Sequence, residues 1–198
     1  MANQNENIIE NKPARNSTTR FIFIRHGETN FNKEKKVMGQ FFDDPLNKEG
    51  VFQINKILSK LTGNFDTIYS SPLKRTSQAA LILGKHLKIP VKFADGLKQR
   101  DFGLMSGKTW EEIGKKLRGR DFDPEERLKY NFRPYGGESF SDFKLRVLNF
   151  IKYTKKKHSN EKIIAVTHSG VVRLMYYLFS PKSNVKKVEQ ASIHEFDI

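Results

Sequence analysis

Phe21-Ile22-Phe23-Ile24 runs straight into Arg25-His26-Gly27-Glu28-Thr29, and the fold turns on how these nine residues are read. Four consecutive bulky, β-prone side chains with no polar break mark a strand buried on both faces. The same pattern recurs at Ile163-Ile164-Ala165-Val166, which leads into Thr167-His168-Ser169-Gly170. A shorter run, Thr67-Ile68-Tyr69, leads into Ser70-Ser71-Pro72-Leu73-Lys74-Arg75. Pro90-Val91-Lys92-Phe93 reads as a further short strand, and Ser192-Ile193-His194-Glu195-Phe196 as a final one.

Helical patterns lie between these strands. Val51, Ile54, Ile57, Leu58 and Leu61 recur at helical spacing over residues 50–61. Pro72 suits the first turn of a helix that continues through Ala79, Leu83 and Leu87. Residues 110–117 and 171–179 read as helices, and 139–156 as a long amphipathic one carrying Phe140, Phe143, Val147, Phe150 and Ile151. Residues 119–137, with Pro124, Pro134 and a glycine pair, read as loop. Strands alternating with helices predict an α/β fold with a mostly parallel sheet, in one domain and without internal repeats.

Bulk composition narrows the function classes. The chain has 198 residues, enough for a sizeable core, and no cysteine, which excludes disulfides, thiolate metal sites and a cysteine nucleophile. No apolar run approaches the roughly 18 residues of a membrane span. Residues 1–19 are polar and lack the apolar segment of a secretory signal, so they are expected to form a disordered leader before a domain at 20–198. A cytoplasmic protein is the expectation. The net charge of +14 rests on lysines scattered along helical segments, as at Lys155-Lys156-Lys157, and reads as a basic solvated surface. No RNA- or DNA-reading motif appears, so no specific nucleic-acid partner is expected. The oligomeric state is open.

The chemistry gathers where the strands end. In open α/β sheets, ligands bind beyond the carboxyl ends of the strands. Three strands would therefore deliver Arg25, His26, Arg75, His168 and several hydroxyls to one edge. Helices starting near Pro72 and Ser169 would add backbone N–H groups suited to phosphate. Either histidine alone would more often be structural; the convergence of both is what carries the functional reading.

Arg25-His26-Gly27-Glu28-Thr29 with Asn32 resembles the signature of the histidine phosphatase superfamily, in its phosphoglycerate-mutase-like branch. The resemblance continues through Gly39, Asp44-Pro45-Leu46, Gly50, residues 70–76, Phe102-Gly103, Gly107, Gly136-Gly137-Glu138-Ser139 and Thr167-His168-Ser169-Gly170. It covers about residues 20–198. It implies a three-layer α/β/α sandwich and phosphoryl transfer through a phosphohistidine on His26. It implies Arg25, Arg75 and His168 as a phosphate clamp, with Asn32, Thr29, Gly39, Arg100 and Ser169 expected around a phosphorylated small-molecule substrate. No metal or other cofactor is implied, because guanidinium groups already neutralise the phosphate. Glu28 and Glu138 read as residues that order their loops.

One position departs from the family. A glutamate acting as general acid is usual where this chain has Gln99, in Leu97-Lys98-Gln99-Arg100-Asp101-Phe102-Gly103. An amide donates a hydrogen bond but cannot deliver a proton. The chain could therefore be an enzyme tuned to good leaving groups, an enzyme in which Asp101 supplies the proton, or a catalytically silent binder of phosphorylated ligands. Water as acceptor gives a phosphatase, and a bound hydroxyl gives a mutase. The short stretch 107–135 and the end of the chain at Ile198 favour the phosphatase, whereas Arg100 leans weakly toward the mutase. Lys98, Arg100 and Lys108 are expected to line the entrance and favour substrates with additional negative charge.

Overall fold

The computed structural model describes residues 18–181 and 187–198. The expected leader thus lies outside the described residues except at its end. There Thr19 already belongs to the fold: it is buried, exchanges backbone hydrogen bonds with Ile198, and its hydroxyl donates to the carbonyl of His158.

Five strands form one sheet: β1 (Arg20–Arg25), β2 (Thr67–Ser70), β3 (Val91–Phe93), β4 (Lys162–Thr167) and β5 (Ile193–Asp197), in the order β3-β2-β4-β1-β5. All neighbours are parallel except β5, which runs antiparallel to β1. The helices are α1 (Asn30–Lys33), α2 (Lys48–Ile57), α3 (Lys74–Leu87), α4 (Trp110–Arg118), α5 (Pro124–Lys129), α6 (Phe140–Lys157) and α7 (Ser169–Phe179).

The apolar runs of β1 and β4 explain the layering, because alternate residues of a strand face opposite ways. Phe21, Phe23, Ile163 and Ala165 pack with Phe143, Val147 and Ile151 of α6 and with Val171, Leu174 and Met175 of α7. Ile22, Ile24, Ile164 and Val166 pack with Ile54 and Ile57 of α2 and with Ala79, Ala80 and Leu83 of α3. Helices on both faces of a mostly parallel sheet make the expected three-layer α/β/α sandwich. A third cluster of Val37, Phe102, Met105, Ile113, Phe122 and Phe132 stands apart from both faces. Its rings meet edge-on, with Phe102 and Phe132 centroids 5.2 Å apart, a geometry that suits the aromatic quadrupole.

Two local expectations are corrected. Residues 119–137 are not all loop. Asp123 accepts from the N–H groups of Glu125 and Glu126, Glu126 closes the capping box, and Pro124 opens α5. The proline read as a breaker is therefore a helix start. Pro72 does not begin α3, which starts two residues later with Leu73 as its N-cap. The short α1 follows the signature motif, capped by reciprocal bonds between Thr29 and Asn32.

This topology has a switch point. From β1 the chain crosses beyond β4 to β2, whereas from β4 it moves to the other side of β1. β1 and β4 are in register, Arg25 beside Thr167. Their carboxyl ends, and the residues that follow, therefore open side by side.

Candidate active site

His26 and His168 are the first residues after β1 and β4. The backbone N–H of His26 donates to the carbonyl of Thr167 (3.1 Å), which extends the ladder by one residue. Both imidazoles are buried, and their ring centroids lie 5.2 Å apart in an edge-on arrangement. His26 Nδ1 is 2.6 Å from the carbonyl oxygen of Gly27. A carbonyl can only accept, so Nδ1 carries the hydrogen and Nε2 of the neutral ring holds the free lone pair. Burial, then the charges of Arg75 and Arg25, hold the His26 pKa well below the ordinary 6.5, against a smaller upward pull from Gly27. His168 is held low by burial, Arg75, His26, Arg25 and Arg146, in that order. Its Nε2 shares a 3.0 Å hydrogen bond with the Ser71 hydroxyl, while its buried Nδ1 makes none.

Two arginines face this pair. Arg75, in the first turn of α3, is almost fully buried; its Nη2 donates to the carbonyl of Gly39 (2.9 Å) and its Nη1 to that of Phe42 (3.3 Å). Arg25, at the end of β1, donates from Nη1 to the carbonyl of Val188. Burial draws both guanidinium pKa values down to about 10, still far above neutrality. The Nε atoms of both are buried and have no hydrogen-bond partner among the described residues.

These groups open into a cavity of ≈ 380 Å³ lined by Arg25, His26, Arg75, Gln99, Ser169 and Gly170 on its inner side. Asn32, Gly39 and Arg100 also lie on its wall. Eight lining residues are Arg or Lys, and among the described residues none is Asp or Glu. No cluster of His, Asp and Glu among the described residues could hold a metal ion.

Several expected site residues take other places. His168 is not on the cavity lining but packs edge-on against His26. Thr29 is fully buried as the N-cap of α1 and also does not line the cavity. Arg100 touches the cavity but spends its guanidinium on the fold. Nη1 donates to the carbonyls of Arg127 and Leu128, and Nη2 to those of Tyr130 and Glu138. Asp101 does not reach the lining, since its carboxylate accepts from the backbone N–H of Gly103 (2.9 Å). Lys98, bridged to Asp95, and Lys108 are likewise absent from the lining. Glu138 orders its loop as expected, with its carboxylate taking two bonds from Arg146 and one from the N–H of Asp101.

The cationic rim comes instead from Lys35, Lys36, Arg127, Arg173 and Lys187. Arg127 on α5 lies with its guanidinium 4.9 Å above the Trp110 ring and its Nε on the carbonyl of Phe122. In the sequence its segment reads as loop, so nothing local marks it. Arg173 had a signal in the sequence: it sits four residues after Ser169, on the same helix face.

Comparison with known proteins agrees with this arrangement. Residues 21–198 match the family model of the histidine phosphatase superfamily (branch 1). A metal-independent phosphoserine phosphatase of Arabidopsis thaliana is 32% identical over 93% of this chain and 79% of its own length. Phosphoserine phosphatase 1 of Hydrogenobacter thermophilus is 33% identical, covering 79% of this chain and 74% of its own. The structure of an Entamoeba histolytica phosphoserine phosphatase in complex with 3-phosphoglyceric acid superposes with a TM-score of 0.70 at 27% identity, over 90% of both chains. The strand-end histidines, the flanking arginines and the match along the whole sandwich have one meaning: the chain belongs to the histidine phosphatase superfamily.

Proposed function

We propose that this protein is a metal-independent phosphomonoester hydrolase that works through a phosphohistidine on His26. The observation that carries this reading is the state of His26. Its Nδ1–H is committed to Gly27, and Arg75 and Arg25 disfavour the protonated ring. Nε2 is thus a nucleophile at neutral pH without a base to activate it. The phosphoryl group carries about −1.5 to −2 charge. Arg25 and Arg75 neutralise it, and the N-terminus of α7 at Ser169 and Gly170 gives its oxygens donors. His168 packs edge-on against His26 and keeps its own position through Ser71.

The substrate is a phosphorylated small molecule. The acid-free, cation-rich lining favours an ester with a second anionic group, which Arg127 would meet from its seat on Trp110. The absence of cysteine supports a reducing, cytoplasmic setting. Among the described residues no helix is long and apolar enough to cross a membrane.

The test is a phosphatase assay over esters graded in charge, with rapid acid quench. A base-stable, acid-labile phosphoprotein is expected, absent from His26→Ala, and Arg127→Gln is expected to lower the preference for doubly anionic esters about 10-fold, the worth of about 1.4 kcal/mol. Label retained by His26→Ala would remove the nucleophile assignment, and an unchanged preference would remove Arg127 from substrate selection.

A further inference from the structure

The cavity that would hold the phosphoryl group is lined by cations and by the nucleophile His26, and among the described residues no Asp or Glu lies on its wall. Gln99 occupies the wall beside His26, and its orientation is determined by its neighbours. Its Oε1 accepts the backbone N–H of Arg100 (3.0 Å), and its carbonyl accepts from Gln40 (2.9 Å) and Arg146 (3.3 Å). It also packs so closely on α7 that a Cβ at Gly170 would lie 2.3 Å from Oε1. An amide can donate from Nε2 and accept at Oε1, but it has no proton to give up as an acid. The carboxylates closest to Gln99 in the chain and fold are committed elsewhere: Asp101 to the N–H of Gly103, and Glu138 to Arg146 and the N–H of Asp101; Asp43 faces Arg75 at 3.9 Å but is not on the lining.

From this we infer that the enzyme forms its phosphohistidine faster than it hydrolyses it, so the phosphoenzyme accumulates, and that its substrates carry leaving groups that depart as stable anions, such as an aryl oxide, a carboxylate or a phosphate. The inference rests on His26 being the nucleophile.

The two half-reactions differ in what they need. In the first, His26 Nε2 attacks phosphorus and the P–O bond breaks, its electron pair leaving on the ester oxygen. A stable anion needs no proton, and the Gln99 amide can donate a hydrogen bond to it. In the second, the oxygen of a water attacks phosphorus. The P–N bond breaks, its pair returns to Nε2, and one proton of the water passes to solvent. That step gains from a base. The lysine and arginine side chains of the lining are protonated at neutral pH and cannot serve. His168 is not on the lining, and the low basicity imposed by burial and Arg75 makes it a poor acceptor. A positioned acid or base is typically worth about 10²–10⁴-fold. Its lack therefore falls on alkyl esters in the first step and on every substrate in the second.

Stopped-flow mixing with p-nitrophenyl phosphate tests this. A burst of nitrophenolate stoichiometric with the protein is expected, followed by a slow steady state in which most of the quenched protein carries phosphate. The kcat should be the same across aryl esters of different leaving-group acidity. Gln99→Glu should abolish the burst and raise kcat at least about 10-fold, within the range for a positioned acid–base group. Neutral hydroxylamine, which can attack phosphorus without a base, should raise the turnover of the unmodified protein. Steady turnover with no burst, lost in His26→Ala, would overturn the inference while leaving the nucleophile in place. Turnover that survives in His26→Ala would overturn both. A kcat that tracks leaving-group acidity would overturn it as well, since the first step would then limit.

Discussion

Arg25 and Arg75 show how a single residue type can do what a metal ion does elsewhere. Each guanidinium is held by donating to a backbone carbonyl, and both residues line the cavity. Arg25→Ala and Arg75→Ala are each expected to weaken binding of inorganic phosphate or vanadate by about 1.5–3 kcal/mol, the usual range for bonds to charged groups. Calorimetry on the folded variants measures it. Unchanged affinity in either variant would exclude that arginine from the phosphate site. At the same scale Gln99 and Asp101 separate: they are two residues apart, yet only Gln99 lies on the cavity wall.

Among the elements, the cavity's outer wall depends on one side chain. The segment from α5 to the start of α6 is short and rich in turns, and Arg100 links it to the sandwich through four carbonyls while stacking over Phe132 at 4.9 Å. Arg100→Ala leaves the half-buried carbonyls of Arg127, Leu128 and Tyr130 without this donor, while Glu138 keeps the N–H of Phe132. At about 0.5–1.5 kcal/mol for each hydrogen bond lost, a destabilisation of about 2–4 kcal/mol is expected in urea denaturation. Lysine has no planar fork and should recover only part of it. Arg127, carried on the same segment, should lose its seat on Trp110, so KM should rise in parallel. A midpoint equal to that of the unmodified protein would show that the segment is held by its aromatic cluster alone.

For the whole molecule, His26 and His168 tie stability to pH. Both are neutral in the fold, with pKa values well below 6.5, whereas the unfolded chain has ordinary ones. Below about pH 6.5 the unfolded state therefore binds more protons, and stability falls as the pH falls. Above that pH the two groups leave stability unchanged. Each histidine contributes a slope of up to about 1.4 kcal/mol per pH unit. His26→Asn should remove one such contribution, which denaturation midpoints measured from pH 6.5 down to pH 5 would reveal. Equal slopes in the two proteins would mean that His26 already titrates normally in the fold.

By itself the sequence determined the sandwich and its chemistry. The unbroken apolar runs of β1 and β4 require burial on both faces, and the residues directly after them are placed by the strands that precede them. The places of His26, Arg25 and Ser169 were legible for that reason, whereas Gln99 was read only through the family resemblance. Thr29 was assigned to the substrate and proved to be a cap, because a hydroxyl at the end of a motif suits either use until the next helix is seen. Only the tertiary structure decided the rim. Lys98, Lys108 and Asp101 had the right charge or chemistry nearby in sequence, but neighbouring residues point to different surfaces. Arg127, far along the chain and on a helix read as loop, came to the cavity through packing. The side chains that follow a buried strand are set by local geometry, whereas those on a turn-rich wall are set by which long-range contacts close it.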